Sequence, residues 1–360
     1  MDHPIISLFI FVIVVLFYFH LVAQWKKSED LEIYETDYLN DTQLQEVCAI
    51  KQPVLFLFRQ PTALYNMVQF SAIEKYITYN VRVKDVFDYR IPTTETIETI
   101  ELPLRSVRRL FSADVHSRYI SENNESFLEE TGLDRAFSPM DAFLKPSGCL
   151  YTRYDMLFGS KRATTPMRYH TNAEYFIVPT SGKITVKMTP WKSRAYLHPV
   201  KDFESYEFWS RVNVWAPDST HTADMEKLRL LEFDVLPGHI LSIPPYWWYS
   251  IRFSTDTDTC VCAFMYDTVI NAVAHSYDWG MYYLQQSNIH TRVTMKPSSR
   301  ISEVNSIGGN VDTLSQPIRF TESSETTVPI APVEDASIDV VTPINIEKRE
   351  IVTNMGSYHT

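Results

Sequence analysis

At 360 residues, with 45% hydrophobic and 13% aromatic side chains, the chain is long enough to bury one large core and still carry appendages. Its formal net charge of -11 argues against nucleic acid as a partner, because phosphate binding needs a basic face. The short basic clusters, Arg105 with Arg108 and Arg109 and Lys161 with Arg162, read as solvated surface.

Residues 5–23 are almost wholly apolar and carry no formal charge, a proton on His20 aside. As a helix this run crosses the roughly 30 Å hydrocarbon layer. It is long for the core of a signal peptide, and Asp2 and His3 stand where such a peptide is basic, so it reads as a retained membrane anchor within residues 1–27. Trp25 is placed for the interface, and Lys26 with Lys27 bias the following domain to the cytosolic side. Residues 28–43 read as a polar linker. From residue 44 to about 146 short strands and helices mix, with a buried strand at PVLFLF (53–58) and a helix-rich run at SENNESFLEETGLDRAF (121–137).

From Cys149 to Met265, β-branched and aromatic residues alternate between turn signals, which predicts the strands of a barrel core. In CVCAFMY (260–266), Cys260 and Cys262 share a face; zinc would need two further ligands, so they read as a reduced structural pair. Asn40-Asp-Thr and Asn124-Glu-Ser are glycosylation triplets, meaningful only in a luminal domain. Val269, Ile270, Val273, Tyr277, Met281 and Leu284 recur every three or four residues, predicting an amphipathic helix over 268–294 that packs on its own barrel. Residues 295–360 shift to Ser, Thr, Val, Pro and acidic residues and read as a disordered tail.

Two strings carry the chemistry, TPMRYH (165–170) and PYWWYS (245–250). Side chains two apart on a strand point to one face, so Arg168 and His170 look the same way. A non-haem Fe(II) site needs a His and a carboxylate at that spacing and a second His from a distant strand. Here the positions hold Arg168, His170 and, far downstream, Tyr249.

With the LPG turn before IPPYWW and the GKITVKMTPW strand, these motifs resemble, from about Leu44 to Asp267, the JmjC-like cupins, and among them the asparaginyl-hydroxylase type. The resemblance implies a mostly β fold with flanking helices, a double-stranded β-helix (cupin/jelly-roll) barrel, joined here to one N-terminal transmembrane helix. It also implies that all three iron ligands are replaced, at Arg168, His170 and Tyr249. The family's cosubstrate lysine falls on Ile184, while Lys183 alternates to the opposite face unless a bulge intervenes. Thr165 matches a residue that helps hold 2-oxoglutarate and is retained.

No catalytic residue, metal or cofactor is therefore expected. The alternative is an enzyme using Fe(II) and 2-oxoglutarate, with His170 joined by Glu174 or His239. The altered pocket could instead hold an anion or peptide between Arg168 and Tyr249, walled by Trp247 and Trp248. The plainer reading pairs Arg168 with an internal carboxylate such as Glu174 and has the aromatics fill the barrel. Expected partners are the membrane, through residues 5–23, an unknown protein, and, by the resemblance, a second copy through the C-terminal helix. The combination suits a structural or binding module of a membrane-bearing assembly such as a large virus particle.

Overall fold

The computed structural model describes residues 3–295 apart from 39, 60–62, 70, 92–96 and 256–257. The segment 296–360, most of the expected disordered tail, lies outside the described residues. A helix, His3–Gln24, opens the chain, and its stretch Ile5–Gln24, of mean hydropathy 2.9, is long and apolar enough to cross a membrane.

Strands β1 (Tyr34–Asp37), β2 (Val54–Leu57), β3 (Asn80–Asp85), β4 (Thr99–Pro103) and β5 (Tyr119–Ser121) precede the barrel proper. The barrel is built from β6 (Cys149–Gly159), β7 (Arg168–Tyr169), β8 (Glu174–Ser181), β9 (Ile184–Thr189), β10 (Pro199–Asp202), β11 (Glu207–Ser210), β12 (Leu231–Val235), β13 (His239–Ile243), β14 (Trp248–Phe253) and β15 (Cys260–Thr268). One sheet has the order β1-β2-β13-β8-β15-β6-β5-β3-β4 and the other β10-β11-β7-β14-β9-β12. Apart from the parallel pair β1–β2, the pairings are antiparallel.

Alternation along each strand sorts the core into layers. Tyr175 and Ile177 of β8, Leu241 and Ile243 of β13, and Val261 and Ala263 of β15 face Ile184, Val186 and Met188 of β9 and Ile251 and Phe253 of β14, which makes the interior of the sandwich. The other face of the larger sheet, with Phe176, Val178, Cys260, Cys262 and Phe264, packs under the helices before the barrel. The outer face of the smaller sheet carries Tyr169, Phe208 and Trp248. The turn from β8 to β9, which changes sheets, places Gly182 at φ +67, and the LPG turn before β13 places Gly238 at φ +91, backbone angles that glycine adopts without a Cβ clash.

Three expectations change. The segment 28–43 is a linker only at its start, because β1 joins the sheet parallel to β2 and Asn40 caps the helix Asp41–Cys48, accepting from Gln43 N at 2.9 Å. Asn124 is buried, and its amide donates to Ser121 Oγ at 3.0 Å and Met156 O at 2.7 Å, so that triplet has no accessible acceptor in the folded domain. The C-terminal helix breaks at His275 into Val269–Ala274 and Ser276–Met295. Its packed side is Asn271, Ala274 and His275; of the six residues expected to face the barrel, Ile270 and Met281 are half-buried, while Val269, Val273, Tyr277 and Leu284 are 45–73% exposed.

Candidate functional site

The two-residue β7 lies between β11 and β14, in register with Trp209 on one side and Tyr249 on the other. This pairing brings positions 168, 170 and 249 together, as the two strings require. They line a cavity of about 390 Å³ with Tyr175, Glu122 and Glu207.

The centre of that cavity is an ion network. Arg168 Nη2 lies 2.8 Å from Glu122 Oε2, and Lys84 Nζ lies 3.1 Å from Glu122 Oε1. Lys84 also meets Glu207, which accepts from Tyr89 OH at 3.0 Å and from Asn123 Nδ2 at 3.0 Å. Two cations and two carboxylates thus alternate and cancel, the condition under which buried charge is tolerated. Burial alone would raise the Glu122 carboxyl, but Arg168 and then Lys84 outweigh it and hold it down to about 2.

Two flanking groups, His170 and Tyr249, are neutral. His170 Nε2 lies 3.1 Å from Ile243 O and donates to it, which leaves Nδ1 as the acceptor, and that buried atom has no hydrogen-bond partner. Burial pushes the imidazole down to about 3 against the effect of that carbonyl. The Tyr249 ring lies 5.7 Å from that of Tyr175 at a tilt of 42°, and the Arg168 guanidinium sits over the Tyr249 ring at 5.6 Å. Burial raises the Tyr249 phenol, with Arg168 opposing, so it stays protonated. Asp155 on β6 accepts from the backbone N–H groups of Asn123 and Asn124 at 2.8 and 2.7 Å, and burial pushes it up to about 6.

These residues do not fit a metal centre. A guanidinium has no lone pair to donate and Tyr249 is a neutral phenol, which leaves His170 Nδ1 as a single ligand atom among the three positions. Among the described residues no group of three or more His, Cys, Asp and Glu is placed to hold an ion. Glu174 cannot join His170, because it shares a face of β8 with Phe176 and Val178, on the helix side of the sheet away from Tyr175. There it accepts from Gln45 at 3.3 Å, and burial raises it to about 8 against Lys51. His239 does not line the cavity.

The expected cosubstrate positions fit no better. Ile184 is buried in the sandwich interior, and the β9 register is regular, with Lys183 outside and paired to Asp234 at 2.8 Å. Thr165 Oγ1 accepts from Ile251 N at 2.9 Å as part of the β7–β14 edge.

The structure corrects two further expectations. The carboxylate on Arg168 is Glu122, not Glu174. Trp247 and Trp248 do not wall the cavity: as neighbours in an extended segment they point to opposite sides, Trp247 into the sandwich with its indole donating to Lys51 O at 3.1 Å, and Trp248 to the outer cluster. The aromatic walls on the side of Arg168 and His170 are Tyr175 and Tyr249. Lys84, Glu122 and Glu207 were absent from the candidates. The signal available was Lys84 in NVRVKD, a charge at a period-two position of a strand whose other face, Val81 and Val83, is core.

A family model described as a cupin-like domain matches residues 21–272. HSPB1-associated protein 1 of Bos taurus is 25% identical over 95 residues, which is 26% of this chain and 20% of that relative. The match therefore spans about a fifth of the relative's length.

Proposed function

We propose that this protein, which belongs to the cupin-like domain family, is a membrane-anchored cupin without oxygenase chemistry that serves as a structural or binding module. The observation that carries this reading is the Arg168–Glu122 pair at 2.8 Å, on the positions that the resemblance assigns to iron ligands. A fixed guanidinium there supplies the positive charge that a metal would bring, and Glu122 neutralises it. An incoming divalent ion would find the Glu122 carboxylate already taken by Arg168 and Lys84 and would have to displace a cation to reach it. A free anion is disfavoured too, because it must compete with Glu122 for Arg168. The domain sits on the cytosolic side on the strength of Lys26 and Lys27, and its partner is another protein of the assembly.

The test is metal analysis of the detergent-solubilised full chain after incubation with Fe(II), Mn(II) and Zn(II), with melting temperature recorded with and without 2-oxoglutarate. Substoichiometric metal and an unmoved melting curve are expected. One metal per chain together with a shift on adding 2-oxoglutarate would overturn the reading.

A further inference from the structure

The anchor helix does not leave the domain on a free tether. Its end packs against the helix Val269–Ala274, and Trp25 Nε1 donates to Ala274 O at 3.2 Å. Two residues on, the Lys27 ammonium lies 4.6 Å from the ring centre of Trp191 and 4.4 Å from that of Tyr246. The two rings make a cage for the cation. Tyr246 is fixed in turn by its hydroxyl, which donates to His275 Nε2 at 2.7 Å while His275 Nδ1–H donates to Asn271 O at 3.0 Å. The exit of the anchor is thus clamped to the same short helix whose break at His275 turns the chain into Ser276–Met295.

Two features converge at this exit. Val269 and Val273 on the anchor's packing partner, and Tyr277 and Leu284 on the helix that follows the break, turn outward and are 53%, 45%, 73% and 63% exposed. Lone exposed apolar residues need no explanation, but a set beginning beside a membrane-length helix does. In a chain of net charge -11, Lys27 and Arg194 gather here, and Lys201 lies near them, 4.0 Å from the Asp278 carboxylate. Arg194 lies over Trp191 at 5.3 Å, and after burial Arg194 and Lys201 are the groups that lower the Lys27 ammonium. Apolar helix surface, Trp and Tyr rings, and Lys and Arg side chains are the groups that partition to a bilayer interface, where acidic headgroups attract the cations.

We propose that this face, Val269, Val273, Tyr277 and Leu284 with Lys27 and Arg194 beside them, rests on the acidic headgroup layer of the bilayer that the anchor crosses, so that the cupin is held against the membrane in one orientation. The proposal rests on the anchor reading. A bilayer is the occupant favoured over a second copy because these residues start on the helix that packs on the anchor and are bordered by cations. An isologous dimer would bring those cations together.

The test uses the full chain in vesicles containing phosphatidylserine, with Cys149→Ser, a nitroxide on Tyr277→Cys, and a reference label on Val115→Cys, whose side chain is 83% exposed. Flotation is scored first, then collision with oxygen and with a water-soluble nickel chelate. The expected result is a label at 277 that is several-fold richer in oxygen contact relative to chelate contact than the label at 115. Adding Val273→Glu should return it toward the value at 115 without changing the melting temperature. A chain that floats while its 277 label meets the chelate as freely as at 115 would overturn the proposal and leave the anchor standing. Shielding from both quenchers with spin–spin broadening would overturn it in favour of a second copy. A chain that does not float would remove the anchor and the proposal together.

Discussion

Replacing Glu122 by Gln removes one charge from a network whose other members stay in place. Arg168 and Lys84 would then face only Glu207, leaving one uncompensated cation in a site where the Lys84 side chain is 3% exposed and that of Arg168 12%. Breaking a buried ion pair from one side costs about 3–5 kcal/mol. The titration of Glu122 gives a similar figure by another route: its carboxyl moves from 4.5 to about 2 on folding, and at 1.36 kcal/mol per pH unit that is about 3 kcal/mol. For a domain of this size the melting temperature should fall by roughly 6–12 °C. The sign with pH follows from the lowered value. Glu122 stabilises the fold above about 4.5 and loses that contribution as pH falls toward about 2, so parent and Glu122→Gln curves should converge in acid. Glu122→Gln combined with Arg168→Met restores neutrality around Lys84 and Glu207, and the pair should cost less than Glu122→Gln alone, with a coupling of about 1 kcal/mol or more. Thermal unfolding of the detergent-solubilised chain, followed by tryptophan fluorescence, reads all three variants. If Glu122→Gln lies within about 1 kcal/mol of the parent and the two substitutions add, the ion network is not what fills the site.

His170 and Glu174 should show opposite pH dependence. His170 is held down to about 3, so the parent loses stability as pH falls from about 6.5 to about 3, and His170→Asn should flatten that limb of a melting-temperature profile. Glu174 is raised to about 8, so the parent loses stability as pH rises from about 4.5 to about 8, and Glu174→Gln should gain on it across that window. Asn124→Ala should destabilise by about 2 kcal/mol, because Arg82 N and Met156 O each lose a buried partner; a host that glycosylates should leave Asn124 unmodified, which peptide mass analysis would reveal. Cys48, Cys260 and Cys262 are buried, and burial pushes Cys48 and Cys260 up to about 12, so maleimide should label Cys149 alone in the folded chain and all four thiols after denaturation.

Much of the site was legible in local pattern. Two-residue periodicity put Arg168 and His170 on one face, Ile184 with Val186 and Met188 in the interior, and Lys183 outside, and it separated Cys260 and Cys262 from Val261 and Ala263. The same rule separates Trp247 from Trp248, and applied there it excludes them as two walls of one cavity. The carboxylate partner of Arg168 was not legible. Glu174 is near in sequence but lies on the wrong face of β8, whereas Glu122 follows β5, in a part of the chain whose pairing with β3 and β6 is set by long-range hydrogen bonds.

The sequence by itself determined the apolar N-terminal segment, the alternating barrel strands and the residue types that meet at positions 168, 170 and 249, because each depends on residue type and spacing along one segment. Only the tertiary structure decided that Lys84, Glu122, Arg168 and Glu207 close into a neutral network, and that Val269, Val273, Tyr277 and Leu284 turn outward near the end of the N-terminal helix. Periodicity defines the faces of an element. Which faces meet depends on contacts between segments dozens of residues apart, and no local pattern encodes them.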